Sequence, residues 1–365
     1  MAIYKISNRL RDQVKHGFSG IIFDCDGVLI DASKSYGATL EVSARSFAAV
    51  LGFRFEKSDY ERTVRAIQLL GTFNNDWDTL AVLVAFCYAE SSNRAVLDRI
   101  SLTKPLRKRI TEFEASSIDS IEGRKLSKLD FSRLDKILRK AKMGTKREEI
   151  TRMIFSLNEE LMRRFAMVVS YPKPVGKGLL ATFFDEVFCG ELLFEKTYGI
   201  TRSTELLSKE GKIANERVLA SEETLEFLSR ISSGNLGIIT GRPEAPTIHT
   251  LGKQFLNFFS NPEICLFTGD HILNAKEMKP SPKPMLRVAR ALKNKKLPIM
   301  YVGDAAEDVL MVKRSNSPSL LNGRVMFAGI ASDEEKAGFF LKQGNDVDCV
   351  VSDTNEMVLA LKGLK

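Results

Sequence analysis

The segment Gly20-Ile21-Ile22-Phe23-Asp24-Cys25-Asp26-Gly27 constrains this chain more than any other. A compact apolar run, 21–23, is followed at once by two aspartates at i and i+2 and then a glycine. Such a run reads as a strand buried on both faces, as in parallel sheets covered by helices. Side chains two apart on a strand leave on the same side, so Asp24 and Asp26 depart together from its carboxyl end. Gly27 lets the chain turn away and offers backbone N–H groups to an anion. Two close carboxylates repel each other unless a cation lies between them or one holds a proton. The pairing therefore suits a divalent metal and a carboxylate nucleophile. A D-x-D-G string also occurs in calcium loops, but Val28, Leu29 and Ile30 supply no oxygen ligands where such a loop needs them. Taken alone, the stretch is equally a strand ending in a solvated acidic turn.

The rest of the chain supplies the context. Helical patterning covers 34–51, 58–70, 77–89 with Asp76 as N-cap, 97–113, 131–141, 146–169 and 179–198. The stretch 115–130 reads as a loop, and the Pro- and Gly-rich 171–178 as a break. No convincing strand occurs between about 37 and 214. From Glu216 onward, strands at 236–240, 264–267, 299–302, 325–330 and 349–351 alternate with helices. That alternation predicts a doubly wound α/β sheet, with ligands at the carboxyl ends of the strands. The α/β domain thus spans 1–36 and 215–365, and a helical domain, 37–214, is inserted after the first strand. Asp24/Asp26, Thr240 and Asp304/Asp308 each fall at the end of an apolar run and would share one crevice.

Four strings then stand in a recognisable order: Asp24-Cys25-Asp26-Gly27-Val28, the run ending in Thr240-Gly241-Arg242, Lys279-Pro280-Ser281-Pro282, and Gly303-Asp304-Ala305-Ala306-Glu307-Asp308. Their set resembles the haloacid dehalogenase-like superfamily, in its phosphatase branch with a helical cap inserted after the first motif. The resemblance covers 20–36 and 215–365 well and the cap only loosely. It implies a Rossmann-like parallel core and a magnesium-dependent phosphatase acting on a small phosphorylated metabolite through an aspartyl-phosphate. By that resemblance Asp24 is the nucleophile and Asp26 the acid and base. Gly27, Thr240 and Gly241 bind phosphate, and Lys279 neutralises growing charge, with Lys283 as the rival lysine. Asp24, the Asp26 carbonyl and Asp304 hold Mg2+, and Asp308 binds a metal water or orients Lys279. Arg242 either binds substrate or caps a helix. A phosphomutase of the same fold is the alternative; a dehalogenase would need neither the second aspartate nor magnesium, and a non-catalytic binding protein would not need the full motif set.

Selectivity must come from groups that touch the rest of the substrate. Asn75 and Asp76, in the string Phe73-Asn74-Asn75-Asp76-Trp77, are the candidates, and Ser35 and Tyr36 lie near enough in sequence to the first motif to join them. The plain reading makes Trp77 and Phe73 core residues and Asp76 an N-cap.

Composition excludes some classes. The chain has 365 residues, 44% hydrophobic and 27% charged, ordinary for a globular protein. It has no run of about 18 apolar residues, so no membrane partner is expected. Its five cysteines are scattered with no C-x-x-C pair, which predicts neither zinc site nor disulfide framework and suits a reducing, cytoplasmic setting. Within the net charge of +8, residues 99–147 carry 15 Lys/Arg against 6 Asp/Glu. With no nucleic-acid motif nearby, that run reads as a solvated helical face, and no nucleic-acid partner is expected. A homodimer is compatible with the sequence and is not specified by it.

Overall fold

The computed structural model describes residues 2–364 apart from 71–72, 74–75, 102–103, 124, 269–277, 293 and 295. It divides into two compact units, Met1–Ala32 with Glu216–Lys365, and Ser33–Asn215.

The first unit is an α/β fold around a seven-stranded sheet. Its strands are β1 (Ile3–Ile6), β2 (Gly20–Phe23), β3 (Leu236–Thr240), β4 (Cys265–Phe267), β5 (Ile299–Gly303), β6 (Val325–Ile330) and β7 (Cys349–Val351). Their spatial order is β1-β7-β6-β5-β2-β3-β4. All neighbours are parallel except β1, which runs antiparallel to β7. Every residue of β2, β3, β5 and β6 is buried, which is why these strands appear in the sequence as unbroken apolar runs. The two-residue period still sorts side chains between faces. Ile21 and Phe23 join Ile238 and Met300 on one side, while Ile22 joins Ile239 and Tyr301 on the other. In β2, Phe23 pairs with Ile238 of β3 and Val302 of β5. The carboxyl ends of these three central strands therefore lie side by side.

The N-terminal strand and the helix Asn8–Val14 that follows were not anticipated. β1 is a partly exposed edge strand, and only Leu10 and Val14 of the helix are buried, so neither carries a strong apolar signal. The apolar stretch 245–258, whose pattern reads as one helix, forms two, Glu244–Leu251 and Lys253–Phe258, divided at Gly252 with φ +52°.

The second unit is helical, with Tyr36–Val50, Asp76–Glu90 and Leu179–Tyr198 among its longest buried elements. The loop expected at 115–130 is wrong for its first half: the helix Leu106–Gly123 runs through it. Its inward face includes Glu114, Ser117 and Ser120, and polar core residues mask helical periodicity. Glu114 is nevertheless satisfied, accepting the backbone N–H groups of Glu205 (2.8 Å), Leu206 (3.0 Å) and Leu207 (2.7 Å). The expected absence of strands also needs correction, since Phe53–Arg54 pairs with Ser127–Lys128. The helix read over 146–169 is broken at Ser156 and Leu157, both with positive φ. The basic stretch is not simply a solvated face. Arg109 donates to Val168 O and Ser170 Oγ, both at 3.0 Å, and Arg147 pairs with Asp78 at 2.8 Å. Among the described residues no helix is long and apolar enough to cross a membrane, and all five cysteines are free and buried.

Candidate active site

The site forms where β2, β3 and β5 end. Asp24 follows β2 directly, and its backbone N–H continues the sheet by donating to Val302 O at 2.9 Å. Its carboxylate is anchored at both oxygens. Oδ1 accepts the Cys25 N–H (2.7 Å) and Oδ2 accepts Lys279 Nζ (2.6 Å). Burial pushes the Asp24 carboxyl up to about 7; Lys279 opposes this, while Asp308 and Asp304 add to it. Cys25, between the two acids, has its thiol pushed well above the usual range by burial and by those acids, so it is no nucleophile.

Lys279 is 2% exposed and sits among carboxylates, 2.6 Å from Asp24, 2.8 Å from Asp308 and 3.5 Å from Glu307. Burial would lower its pKa, but Asp24 and Asp308 outweigh burial and hold it well above the ordinary lysine value. Lys283 is exposed, at the start of the helix Lys283–Ala291. Lys279, not Lys283, is thus the ammonium beside Asp24.

Asp308 is 0% exposed and fully engaged. Its Oδ1 accepts Lys279 and the Tyr301 hydroxyl (2.9 Å), and its Oδ2 accepts the N–H groups of Asp304 (3.1 Å) and Ala305 (3.0 Å). That favours the orienting role over direct ligation. Glu307, which the sequence gives no role, belongs to the same cluster. It is buried, has one oxygen without a hydrogen-bond partner among the described residues, and is pushed up to about 8 by burial, with Lys279 pulling the other way.

Asp24, Asp304 and Asp308 each bring a carboxylate oxygen to within 4.8 Å of the others. The donors are all oxygen, which fits a hard divalent cation rather than a soft transition metal. Gly27 makes that approach sterically feasible. Its φ is +73°, and a Cβ there would stand 2.2 Å from Asp304 Oδ2. Its N–H, expected to face an anion, is instead donated to Ile30 O at 2.8 Å. The glycine contributes room for Asp304, not a free donor. Asp304 Oδ2 in turn lies 2.5 Å from Lys336 Nζ, another contact with no motif to announce it.

Thr240 ends β3 and is 1% exposed; its Oγ1 accepts the Arg242 N–H at 3.2 Å. Gly241 lies in the bend between them, partly exposed. Arg242 is neither a helix cap nor open to a substrate. Its side chain is 0% exposed and committed to Asp26 (2.8 Å) and Glu216 (2.5 Å). Asp26 itself is 38% exposed at the side chain, yet the protein around it raises its carboxyl, as does Glu216, against the pull of Arg242.

In the helical unit, Asp76 is the first residue of the helix Asp76–Glu90 rather than its cap, and Trp77 is buried, stacked edge-on to Phe184. Tyr36 stacks on Phe188 at 4.0 Å, and Ser35 is fully buried. Asn75 lies outside the described residues.

Comparison with known proteins gives the family. The family model described as haloacid dehalogenase-like hydrolase matches residues 18–316. A crystal structure of a Bacteroides fragilis protein, provisionally named a haloacid dehalogenase-like hydrolase, is similar at 14% identity with a TM-score of 0.37, covering 93% of this chain and 99% of that one. No curated protein matches the sequence significantly.

Proposed function

The chain belongs to the haloacid dehalogenase-like hydrolases, and we propose that within that family it is a magnesium-dependent phosphatase of a small phosphomonoester. The observation that carries this reading is the placement of Lys279 Nζ, bonded at once to Asp24 Oδ2 and Asp308 Oδ1. A buried ammonium held against a strand-end carboxylate serves a reaction in which that carboxylate meets an anion. Dehalogenation of a small acid would not call for a second strand-end acid such as Asp26.

Hydrolases of this family generally use a divalent metal, and Asp24 and Asp304 are the side chains that would hold it, with the Asp26 carbonyl. When bound, magnesium would offset the charge of carboxylate and phosphate oxygens and keep some of its own waters. The chain's own groups do the rest. Asp24 attacks phosphorus as the bond to the leaving oxygen breaks, and Asp26 gives that oxygen its proton. Lys279 and the Thr240 hydroxyl stabilise the charge spread over the phosphoryl oxygens. Asp26 then takes a proton from water as water attacks the aspartyl-phosphate, which releases phosphate and restores Asp24. Asp308, held by Tyr301 and two backbone N–H groups, keeps Lys279 in place.

The test is a panel of phosphorylated metabolites assayed for phosphate release with and without magnesium. Release that requires magnesium and is lost in Asp24→Asn supports the reading. Interconversion of two phosphate esters without phosphate release would point instead to a mutase.

A further inference from the structure

We propose that Glu216 is a positioning residue for this reaction, acting through Arg242 to present Asp26. The inference rests on the phosphatase reading above and concerns a residue that no motif includes.

Glu216 is 1% exposed at its side chain and spends both oxygens on Arg242, Oε1 with Nη1 at 2.9 Å and Oε2 with Nη2 at 2.5 Å. Thr250 Oγ1 also donates to Oε2. A two-point pair between planar groups fixes the orientation of the guanidinium as well as its position. The remaining hydrogen of Nη1 is then aimed by Glu216, and it meets Asp26 Oδ1 at 2.8 Å. The backbone reinforces the arrangement. Residues Arg217–Val218, directly after Glu216, pair with Ile30–Asp31, and Leu219 N–H donates to Leu29 O at 2.8 Å. Ile30 in turn accepts the Gly27 N–H. The segment carrying Glu216 is thus tied to the turn that carries Asp26.

Stability alone does not account for the pair. Buried ion pairs roughly break even against apolar replacements, so a core has little reason of its own to keep one. What Glu216 adds is a restraint. It occupies the two-point fork of Arg242, which would otherwise be released to turn onto Asp26. With Glu216 present, the described contact of Arg242 with Asp26 is to Oδ1, and the other oxygen carries the proton to and from the reacting atoms.

The experiment compares phosphorylation of Asp24 in single turnovers with two esters, an alkyl phosphate and 4-nitrophenyl phosphate. The nitrophenolate leaves without a proton; the alkoxide does not. Glu216→Gln is expected to slow the alkyl ester by roughly 10- to 100-fold, the effect of a misplaced catalytic group. The nitrophenyl ester should slow less than about threefold, and KM for either should change less than about twofold. In an Asp26→Asn background, Glu216→Gln should add nothing. Equal losses on both esters, or a further loss in that background, overturn the proposal. If Glu216→Gln does not fold, Thr250→Val, which leaves both charges in place, is expected to show the same leaving-group dependence on a smaller scale, and its absence there overturns the proposal equally. A wild-type protein inert to both esters would overturn the phosphatase reading itself, a result distinct from any of these.

Discussion

Lys279 Nζ lies 2.6 Å from Asp24 Oδ2 although 255 residues separate the two in the chain. The contact follows from topology. β2 and β5 are parallel neighbours, so the end of β2 opens beside Asp304, which follows β5, and Asp308, in the helix Ala306–Ser315. Lys279 completes the cluster from the segment before the helix Lys283–Ala291. Three carboxylates this close need positive charge among them or a proton on one of them. The ammonium supplies one charge, and the family's divalent metal would supply more.

Asp24→Asn is expected to lower phosphate release by roughly a thousandfold or more, because an amide is a very poor nucleophile. The fold should survive, since the amide oxygen can still accept from one of the two donors, Cys25 N–H or Lys279, and the loss of the other is one hydrogen bond at a strand end. Phosphate release and circular dichroism on the same preparation check both halves. A variant that folds and retains wild-type turnover would take Asp24 out of the mechanism.

Lys279→Met is expected to cost roughly 100- to 1,000-fold in kcat, the effect of removing one preorganised stabiliser of developing charge. It also leaves Asp24 and Asp308 facing each other without their ammonium. The melting temperature should therefore fall, and magnesium should restore part of it. A melting temperature insensitive to both changes would show that the carboxylates are not in mutual repulsion.

Asp185, in the helix Leu179–Tyr198, gives a prediction for the helical unit. It is 1% exposed, and one oxygen lacks a hydrogen-bond partner among the described residues. Burial raises its carboxyl well above 3.8, and Tyr198 and Trp77 offset this only in part. The folded chain thus keeps a proton that the unfolded chain releases above pH about 4. The site favours folding most below that pH and less as pH rises toward the raised folded value. Asp185→Asn, neutral at every pH, should raise the melting temperature at pH 7 by about 2–4 °C per kcal/mol recovered. At pH 4 it should have little effect. Calorimetry at the two values tests the sign, and an equal shift at both would rule out titration as the cause.

The α/β architecture was legible because strands buried on both faces cannot hide: 236–240 and 325–330 appear as unbroken apolar runs. What escaped was whatever lacks that signal. β1 is a half-exposed edge, and the Leu106–Gly123 helix turns a glutamate and two serines inward. The same holds at the site. Asp24, Thr240, Asp304 and Asp308 stand at strand ends and could be listed from the sequence, and Lys279 stands in a Pro-rich string. Glu216 and Lys336 belong to none of the four strings, and their partners, Arg242 and Asp304, lie 26 and 32 residues away. Spacing carries no information about such pairs. Arg242 was visible, but a buried arginine facing inward cannot be told from a substrate-binding one until its partners are known.

Lys336 leads to the last prediction. Its ammonium is 2.5 Å from Asp304 Oδ2, with side chains 29% and 18% exposed. A divalent cation held by Asp24 and Asp304 has to meet this ammonium. Either Lys336 gives up Asp304 and returns to water, or it stays as a like charge beside the ion. Both subtract from cation affinity. The pair is partly open to solvent, so its strength is discounted to about 1 kcal/mol. Lys336→Met is therefore expected to tighten binding of manganese, used as a magnesium probe, by about 2- to 10-fold. Titration calorimetry on the substrate-free protein reads this without any dependence on turnover. Lys336→Arg, which keeps the charge, should stay near wild type, and Asp304→Asn should nearly abolish binding. The rival account makes Lys336 a brace that holds Asp304 ready for the ion. On that account Lys336→Met loosens manganese binding, because Asp304 must then be ordered at the moment of capture. The sign of the change separates the two: a competitor yields tighter binding when removed, a brace weaker.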